Sequence, residues 1–281
     1  MLPYLQLMRL DKPIGIWLLF FPAGWAVGLA AVNEYQMVIL LVMMLLGAVF
    51  TRSAGCVIND MVDRRLDIAV ERTRHRPLAA GTVTMPQAII LVQFLLLLAL
   101  LLVVRLPITV FYLSLLALPL IAIYPFMKRF TWWPQAFLGC VFNLGALIGW
   151  AATEAPLTLP AFTLYGASIF WTLGYDTIYA VQDVADDARV GIRSTARIVG
   201  NRLKQFIGLC YNLMFVLLIL TGLLLQATPY YYLGLAGACI LAIRQVRALP
   251  CLSENAGPIF RSNQWLGLIV LLGILADRFL G

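Results

Sequence analysis

Long apolar runs broken by short polar stretches dominate the chain. Nine runs approach the roughly 20 residues a helix needs to cross about 30 Å of hydrocarbon. They cover 14–33, 37–58, 86–104, 107–126, 135–153, 161–182, 206–225, 230–248 and 264–280. None alternates with a period of two, and each is about twice the length of a barrel strand, so a closed barrel is excluded. Pro86, Pro107, Pro134, Pro160 and Pro229 sit at run ends, where the first turn of a helix tolerates them. Pro22 and Pro119 lie inside runs and predict kinks. The pattern predicts an all-α polytopic membrane protein with nine transmembrane helices, built as one domain over residues 1–281.

Composition agrees. Of 281 residues, 62% are hydrophobic and 12% charged, and the mean hydropathy is +0.92. A soluble domain of this length carries about twice the charged fraction, so a cytosolic or disordered chain is excluded. The lipid bilayer is the first expected partner. The net charge of +7 fits topology and lipid headgroups better than nucleic acid, and neither nucleic acid nor an obligate protein partner is predicted. All but three of the 20 Lys and Arg residues fall before the first run or in the turns after runs 2, 4, 6 and 8; the exceptions are Arg52, Arg105 and Arg278. Basic residues mark the cytoplasmic side, which places the N-terminus in the cytoplasm and the C-terminus outside. The first run spans a bilayer and is followed by many more, so it reads as a retained helix and not a cleaved leader. Cys56, Cys140, Cys210, Cys239 and Cys251 form no CxxC pair and no Cys/His cluster, so neither structural zinc nor a disulfide framework is expected.

Eight of the 13 acidic residues crowd into two stretches at the predicted cytoplasmic face. Asp60, Asp63, Asp67 and Glu71 follow run 2, and Asp176, Asp183, Asp186 and Asp187 close run 6. On continuous helices, Asn59, Asp63 and Asp67 form one stripe, and Asp183 and Asp187 share a face with Asp176 two turns deeper. Each stretch reads amide-Asp-x-x-Asp, about four spans apart, which suggests an internal repeat facing one cavity. Carboxylates this close repel unless paired or metal-bound. Oxygen-only ligands suit Mg²⁺, which keeps waters and shares substrate phosphates. The alternative is that these acids pair with nearby loop arginines.

Arg52 lies about 10 Å deeper on the Asn59 face. It reads either as a clamp for an acidic substrate or as a structural ion pair, for example to Asp176. Tyr124 and Lys128 end run 4 at the same side; they reach a diphosphate or simply snorkel to the interface. His75 is a loop residue. A secondary transporter also fits intramembrane charges and a repeat, but transporters place such sites near the midplane.

Several segments carry a family resemblance: Arg9-Leu-Asp-Lys-Pro-Ile-Gly15; Arg52-Ser-Ala-Gly-Cys-Val-Ile-Asn-Asp60 with Asp63 and Asp67; Arg76-Pro-Leu; Tyr124-Pro-Phe-Met-Lys-Arg129; and Tyr175-Asp-Thr-Ile-Tyr-Ala180 with Asp183, Asp186 and Asp187. The chain resembles the intramembrane aromatic prenyltransferases, and within them the hydroxybenzoate branch of bacterial ubiquinone synthesis. The resemblance implies a ring of nine helices around a central cavity, capped on the cytoplasmic side by the loops after helices 2 and 6. It implies Mg²⁺-dependent transfer of a polyprenyl group from polyprenyl diphosphate to the carbon ortho to the hydroxyl of 4-hydroxybenzoate, in a bacterial inner membrane with the site at the cytoplasmic face. Two Mg²⁺ ions would bridge the diphosphate. Asn59, Asp63 and Asp67, with Asp60 beside them, would hold one, and Asp183, Asp187 and Asp176 the other, with Asp63, Asp67, Asp183 and Asp187 catalytic. Lys128, Tyr124, Arg129, Arg65 and Arg72 would bind the diphosphate, and Arg52 and Asn59 the aromatic acceptor. A sibling enzyme with another acceptor is the alternative within the family.

Overall fold

The computed structural model describes residues 2–69, 73–184, 193–249 and 252–281, and these contain helices and no strand. The helices are α1 (Leu2–Leu7), α2 (Ile14–Ala30), α3 (Glu34–Val62), α4 (Arg64–Ala69), α5 (Met85–Val103), α6 (Ile108–Phe130), α7 (Pro134–Phe142), α8 (Leu144–Ala152), α9 (Leu159–Ala180), α10 (Thr195–Val199), α11 (Leu203–Leu224), α12 (Pro229–Ala248) and α13 (Leu252–Leu280). Each predicted apolar run falls on one of the long helices or on the α7–α8 pair. By length and composition, 5 helical stretches are able to cross a membrane: Glu34–Val62, Met85–Val103, Pro134–Ala152, Thr195–Leu224 and Ala256–Leu280. Ile14–Ala30 and Ile108–Tyr124 are shorter apolar helices. The protein is a multi-pass membrane protein.

Two elements differ from the sequence pattern. The fifth run is not one rod but breaks at Asn143 (φ −91°, ψ 4°). There the Asn143 side-chain amide donates to the Gly139 carbonyl and to Thr172 Oγ1, both at 2.7 Å. A short amide that bonds its own backbone competes with the helical ladder. α13 begins 12 residues before the predicted run at 264, because Ser253, Glu254, Asn255, Arg261, Ser262 and Asn263 dilute the apolar signal of its first turns.

α2 is apolar all round, and Trp25, Ala26 and Val27 are fully buried. A helix with no polar face has to be surrounded, and α2 packs against α3, α8, α9 and α13. Buried polar groups then fix the register. Asn263 Oδ1 on α13 accepts from Trp171 Nε1 of α9 at 3.0 Å and from the Tyr211 hydroxyl of α11 at 3.1 Å. Trp25 Nε1 donates to the Gly267 carbonyl at 3.0 Å. α12 and α13 cross at Gly234 and Gly273, where a Cβ on Gly273 would lie 2.7 Å from the Gly234 Cα. Only small residues permit that approach, which inside a membrane supplies the packing that water would otherwise drive. By contrast, α5 and α6 present Ile90, Phe94, Leu97, Leu101, Tyr112, Leu115 and Leu116 outward, the surface expected against lipid.

α1 and the stretch 73–83 cover one end of α3. A small separate core of Leu7, Val57, Leu78, Val83 and Ala88 holds them there. This end carries the acidic residues of the first stretch.

Candidate active site

The predicted acidic stripe does not run on one helix. α3 stops at Asp63, whose N–H still bonds the Asn59 carbonyl, and the chain turns into the short α4. The bend carries Asp67 off the stripe, and Asp60, one residue on from Asn59, already points about 100° away from it on α3.

Asn59 and Asp63 stay together as i, i+4 neighbours, with Asn59 Nδ2 donating to Asp63 Oδ2 at 3.1 Å. Asp60 and Asp67 turn instead toward two arginines. Arg9 Nη2 donates to both Asp60 oxygens, at 2.9 and 3.0 Å. Arg76 Nη1 bridges Asp60 Oδ1 at 3.1 Å and Asp67 Oδ2 at 2.9 Å. Asp60 is 1% exposed and Asp67 6%, so these carboxylates need the partners they have. Two acids and two arginines make a neutral set. Arg9 adopts a left-handed backbone (φ 57°), which a non-glycine residue holds only when its surroundings impose it. Here the double hydrogen bond to Asp60 and the turn bond from the Leu10 N–H to the Leu5 carbonyl at 3.0 Å impose it. The remainder of the loop is tied by Arg64 Nε to the Leu78 carbonyl at 3.1 Å and by Thr73 Oγ1 to the Asp67 carbonyl at 3.2 Å.

Deeper on α3, Arg52 lies within electrostatic reach of residues on α6 and α9. Asp176 lies within electrostatic reach of Lys128 and Arg52. Tyr124 lies in the field of Asp176, Arg52, Tyr175 and Tyr179. The predicted residues Arg52, Tyr124, Lys128 and Asp176 therefore converge from three helices. Among the described residues Arg52 forms no ion pair within 4 Å, so the direct Arg52–Asp176 pair is not made. Its guanidinium carbon instead lies 6.0 Å from the centre of the Phe142 ring.

The second acidic stretch also departs from a single helix. α9 ends at Ala180 and continues as a tighter 3₁₀ turn, Val181–Asp183. Asp183 sits in that turn, directly beyond the helix that carries Asp176. Asp186, Asp187 and Arg72 lie outside the described residues. Beyond them the chain docks onto the end of α6. The Arg193 N–H donates to the Lys128 carbonyl at 3.1 Å, and Arg193 Nη1 to the Phe130 carbonyl at 2.9 Å. These bonds satisfy carbonyls that the last turn of a helix leaves open. The guanidinium groups of Arg193 and Arg197 lie 5.6 and 5.4 Å from the Trp132 ring centre, and the Thr195 N–H donates to Gln135 Oε1 at 2.9 Å.

Of the predicted anion-binding residues, Lys128 sits at the convergence. Arg129 is exposed and stacks at 5.9 Å on Phe126 of its own helix, and Arg65 is exposed on α4. Neither the role of Arg9 nor that of Arg193 is legible in the sequence. Arg76, 9 residues from Asp67, makes the loop-arginine pairing that the sequence offers as the alternative, whereas Arg9 lies 51 residues from Asp60.

The donor set fits a hard cation. Asn59 and Asp63 offer oxygens, and among the described residues no three His, Cys, Asp or Glu side chains gather into a metal-holding group. An ion there would be completed by water or by phosphate oxygens, the habit of Mg²⁺.

The profile of the UbiA prenyltransferase family matches residues 19–266. The chain is 42% identical over 275 residues to 4-hydroxybenzoate octaprenyltransferase of Hydrogenovibrio crunogenus, covering 98% of this chain and 96% of that protein. It is 42% identical over 278 residues to 4-hydroxybenzoate geranyltransferase 1 of Lithospermum erythrorhizon, covering 98% and 90%. Its fold matches a UbiA homolog from Archaeoglobus fulgidus bound to GPP and Mg²⁺ with a TM-score of 0.72 at 18% identity, over 98% of this chain and 99% of that one.

Proposed function

The chain belongs to the UbiA prenyltransferase family, and from that membership we propose that it transfers a polyprenyl group from polyprenyl diphosphate to 4-hydroxybenzoate, giving 3-polyprenyl-4-hydroxybenzoate in ubiquinone biosynthesis. The observation that carries this reading is the meeting of Arg52, Tyr124, Lys128 and Asp176 on three helices, on the α3 face that ends in Asn59 and Asp63. Relatives at about 42% identity over nearly the whole chain are named for this acceptor.

Arg52 presents a planar fork with no carboxylate partner among the described residues, suited to the acceptor's carboxylate. Lys128 brings its positive charge, and Tyr124 its O–H, to the diphosphate. Asn59 and Asp63 would hold one Mg²⁺, and Asp183, Asp187 and Asp176 a second. Asp60 and Asp67, already neutralised by Arg9 and Arg76, form the frame that fixes Asn59 and Asp63. Bound Mg²⁺ supplies the positive charge that stabilises the departing diphosphate. The C–O bond of the allylic diphosphate breaks, the ring carbon ortho to the hydroxyl forms the new C–C bond, and that carbon's proton leaves to restore aromaticity. Arg52 contributes by holding the ring in attack geometry.

The chain crosses the membrane nine times, with α7 and α8 as one interrupted crossing. The basic bias of the turns puts the N-terminus and the site at the cytoplasmic face of a bacterial inner membrane. The test is a membrane assay with 4-hydroxybenzoate, a polyprenyl diphosphate and Mg²⁺, with Asp63→Ala and Asp183→Ala alongside. Product that requires Mg²⁺ and both aspartates supports the reading. Turnover of a different aromatic in place of 4-hydroxybenzoate replaces the acceptor. No diphosphate release from folded protein with any acceptor overturns the reading.

A further inference from the structure

Gly15 stands in the first turn of α2 with nothing in its backbone to require glycine. Its φ is not in the left-handed region, and alanine is the better helix former. What excludes a side chain is Arg52. A Cβ built on Gly15 would collide with Arg52 Nε and would lie 3.0 Å from Nη2 and 3.1 Å from Cζ. The guanidinium is thus bracketed by the bare backbone of α2 and by the Phe142 ring at 6.0 Å. We propose that Gly15 is a positioning residue for acceptor recognition: its missing side chain is the slot that sets where the Arg52 fork presents its donors.

The proposal rests on the reading of Arg52 as the clamp for the acceptor's carboxylate. It adds a residue that never touches substrate and acts through the clamp. Because the colliding atoms are the far end of a flexible side chain, Gly15→Ala is accommodated by moving the fork, not by moving α2. Stability is then largely kept while recognition is lost. A bidentate contact tolerates little displacement, and a misplacement of about 1 Å costs on the order of tenfold or more in binding or rate.

The test uses the full chain in lipid nanodiscs, with KM measured separately for 4-hydroxybenzoate and for polyprenyl diphosphate. Gly15→Ala is expected to raise the 4-hydroxybenzoate KM about tenfold, with the diphosphate KM within about twofold and the melting temperature near that of the parent. Gly47→Ala, on α3 where a Cβ meets nothing within 4 Å, is the helix control and stays at parent values. Arg52→Ala and the double variant Gly15→Ala/Arg52→Ala complete a cycle. With the clash gone, the double variant has the melting temperature and 4-hydroxybenzoate KM of Arg52→Ala alone, even where Gly15→Ala by itself folds poorly. A parent-like KM in Gly15→Ala, or losses that simply add in the double variant, overturns the role of Gly15. An Arg52→Ala variant with parent-like 4-hydroxybenzoate KM overturns the clamp reading beneath it, a separate and distinguishable failure.

Discussion

Arg9 closes on Asp60 across 51 residues of sequence, with one nitrogen donating to both carboxylate oxygens at 2.9 and 3.0 Å. The pair ties the turn between α1 and α2 to the end of α3. With Arg76 on the other side it also ties α3 to α4, because the same Arg76 nitrogen reaches Asp67. Half of the acidic motif is therefore spent on holding its own shape. The other half, Asn59 and Asp63, is bonded to itself and pairs with neither arginine.

The frame and the open pair are separable by mutation. Arg9→Ala leaves Asp60 with one arginine instead of two. Arg9 is 27% exposed, which screens the pair, so the expected loss is roughly 1–3 kcal/mol of stability. Thermal unfolding in detergent reads it. An Arg9→Ala protein with unchanged melting temperature would show that the pair is not structural. Arg9→Lys, which keeps the charge but not the fork, is expected to recover part of the loss.

Asn59 and Asp63 predict a different signature. Asp63→Ala is expected to cut turnover by a factor of about 10² or more, and Asn59→Ala to raise the Mg²⁺ concentration needed for half-maximal activity. Arg9→Ala and Arg76→Ala are expected to leave that concentration near the parent value while lowering the melting temperature. A Mg²⁺ titration of all four variants separates the groups. Equal metal dependence in all of them would dissolve the division between frame and ligand.

How far the sequence reveals this arrangement depends on the range of each interaction. The long helices were legible because the bilayer imposes a length and an apolar composition that no other fold shares. The position of Arg52 on the Asn59 face was legible because seven residues are two helical turns. The departure of Asp67 from the stripe was not, since i, i+4 spacing assumes an unbroken helix and the chain bends at Asp63. Nor were the partners of Asp60, because periodicity encodes only near neighbours and Arg9 lies 51 residues away. The contact between Gly15 and Arg52 belongs to the same class: glycine in a helix announces a close approach without naming what approaches.

Asn263 offers a stability prediction remote from the acids. Its side-chain oxygen serves both Trp171 and Tyr211, joining α9, α11 and α13 in the buried interior. Asn263→Leu keeps the volume and strands two donors. The expected cost is about 1–3 kcal/mol, reduced where the donors find backbone carbonyls in the membrane. Melting temperature should fall while the Mg²⁺ dependence of the remaining activity stays put. A metal dependence that moved with Asn263→Leu would mean that the interior network and the acidic face are coupled.

The last prediction concerns Arg193 and the end of α6. Its N–H and guanidinium occupy the Lys128 and Phe130 carbonyls, and its guanidinium lies 5.6 Å from the Trp132 ring centre. Arg193→Ala removes the side-chain bond and the cation–ring contact but leaves the backbone bond to Lys128. Each lost contact is worth about 0.5–1.5 kcal/mol, enough to loosen the turn that presents Lys128. The expected result is a KM for polyprenyl diphosphate raised roughly three- to tenfold, which corresponds to about 0.7–1.4 kcal/mol and so to only part of the lost contact energy, with the KM for 4-hydroxybenzoate unchanged. Trp132→Leu, which removes the ring and keeps Arg193, is expected to produce a smaller shift in the same direction. If both variants instead raised the 4-hydroxybenzoate KM, the docked segment would act on the acceptor side and Lys128 would not be the group it positions.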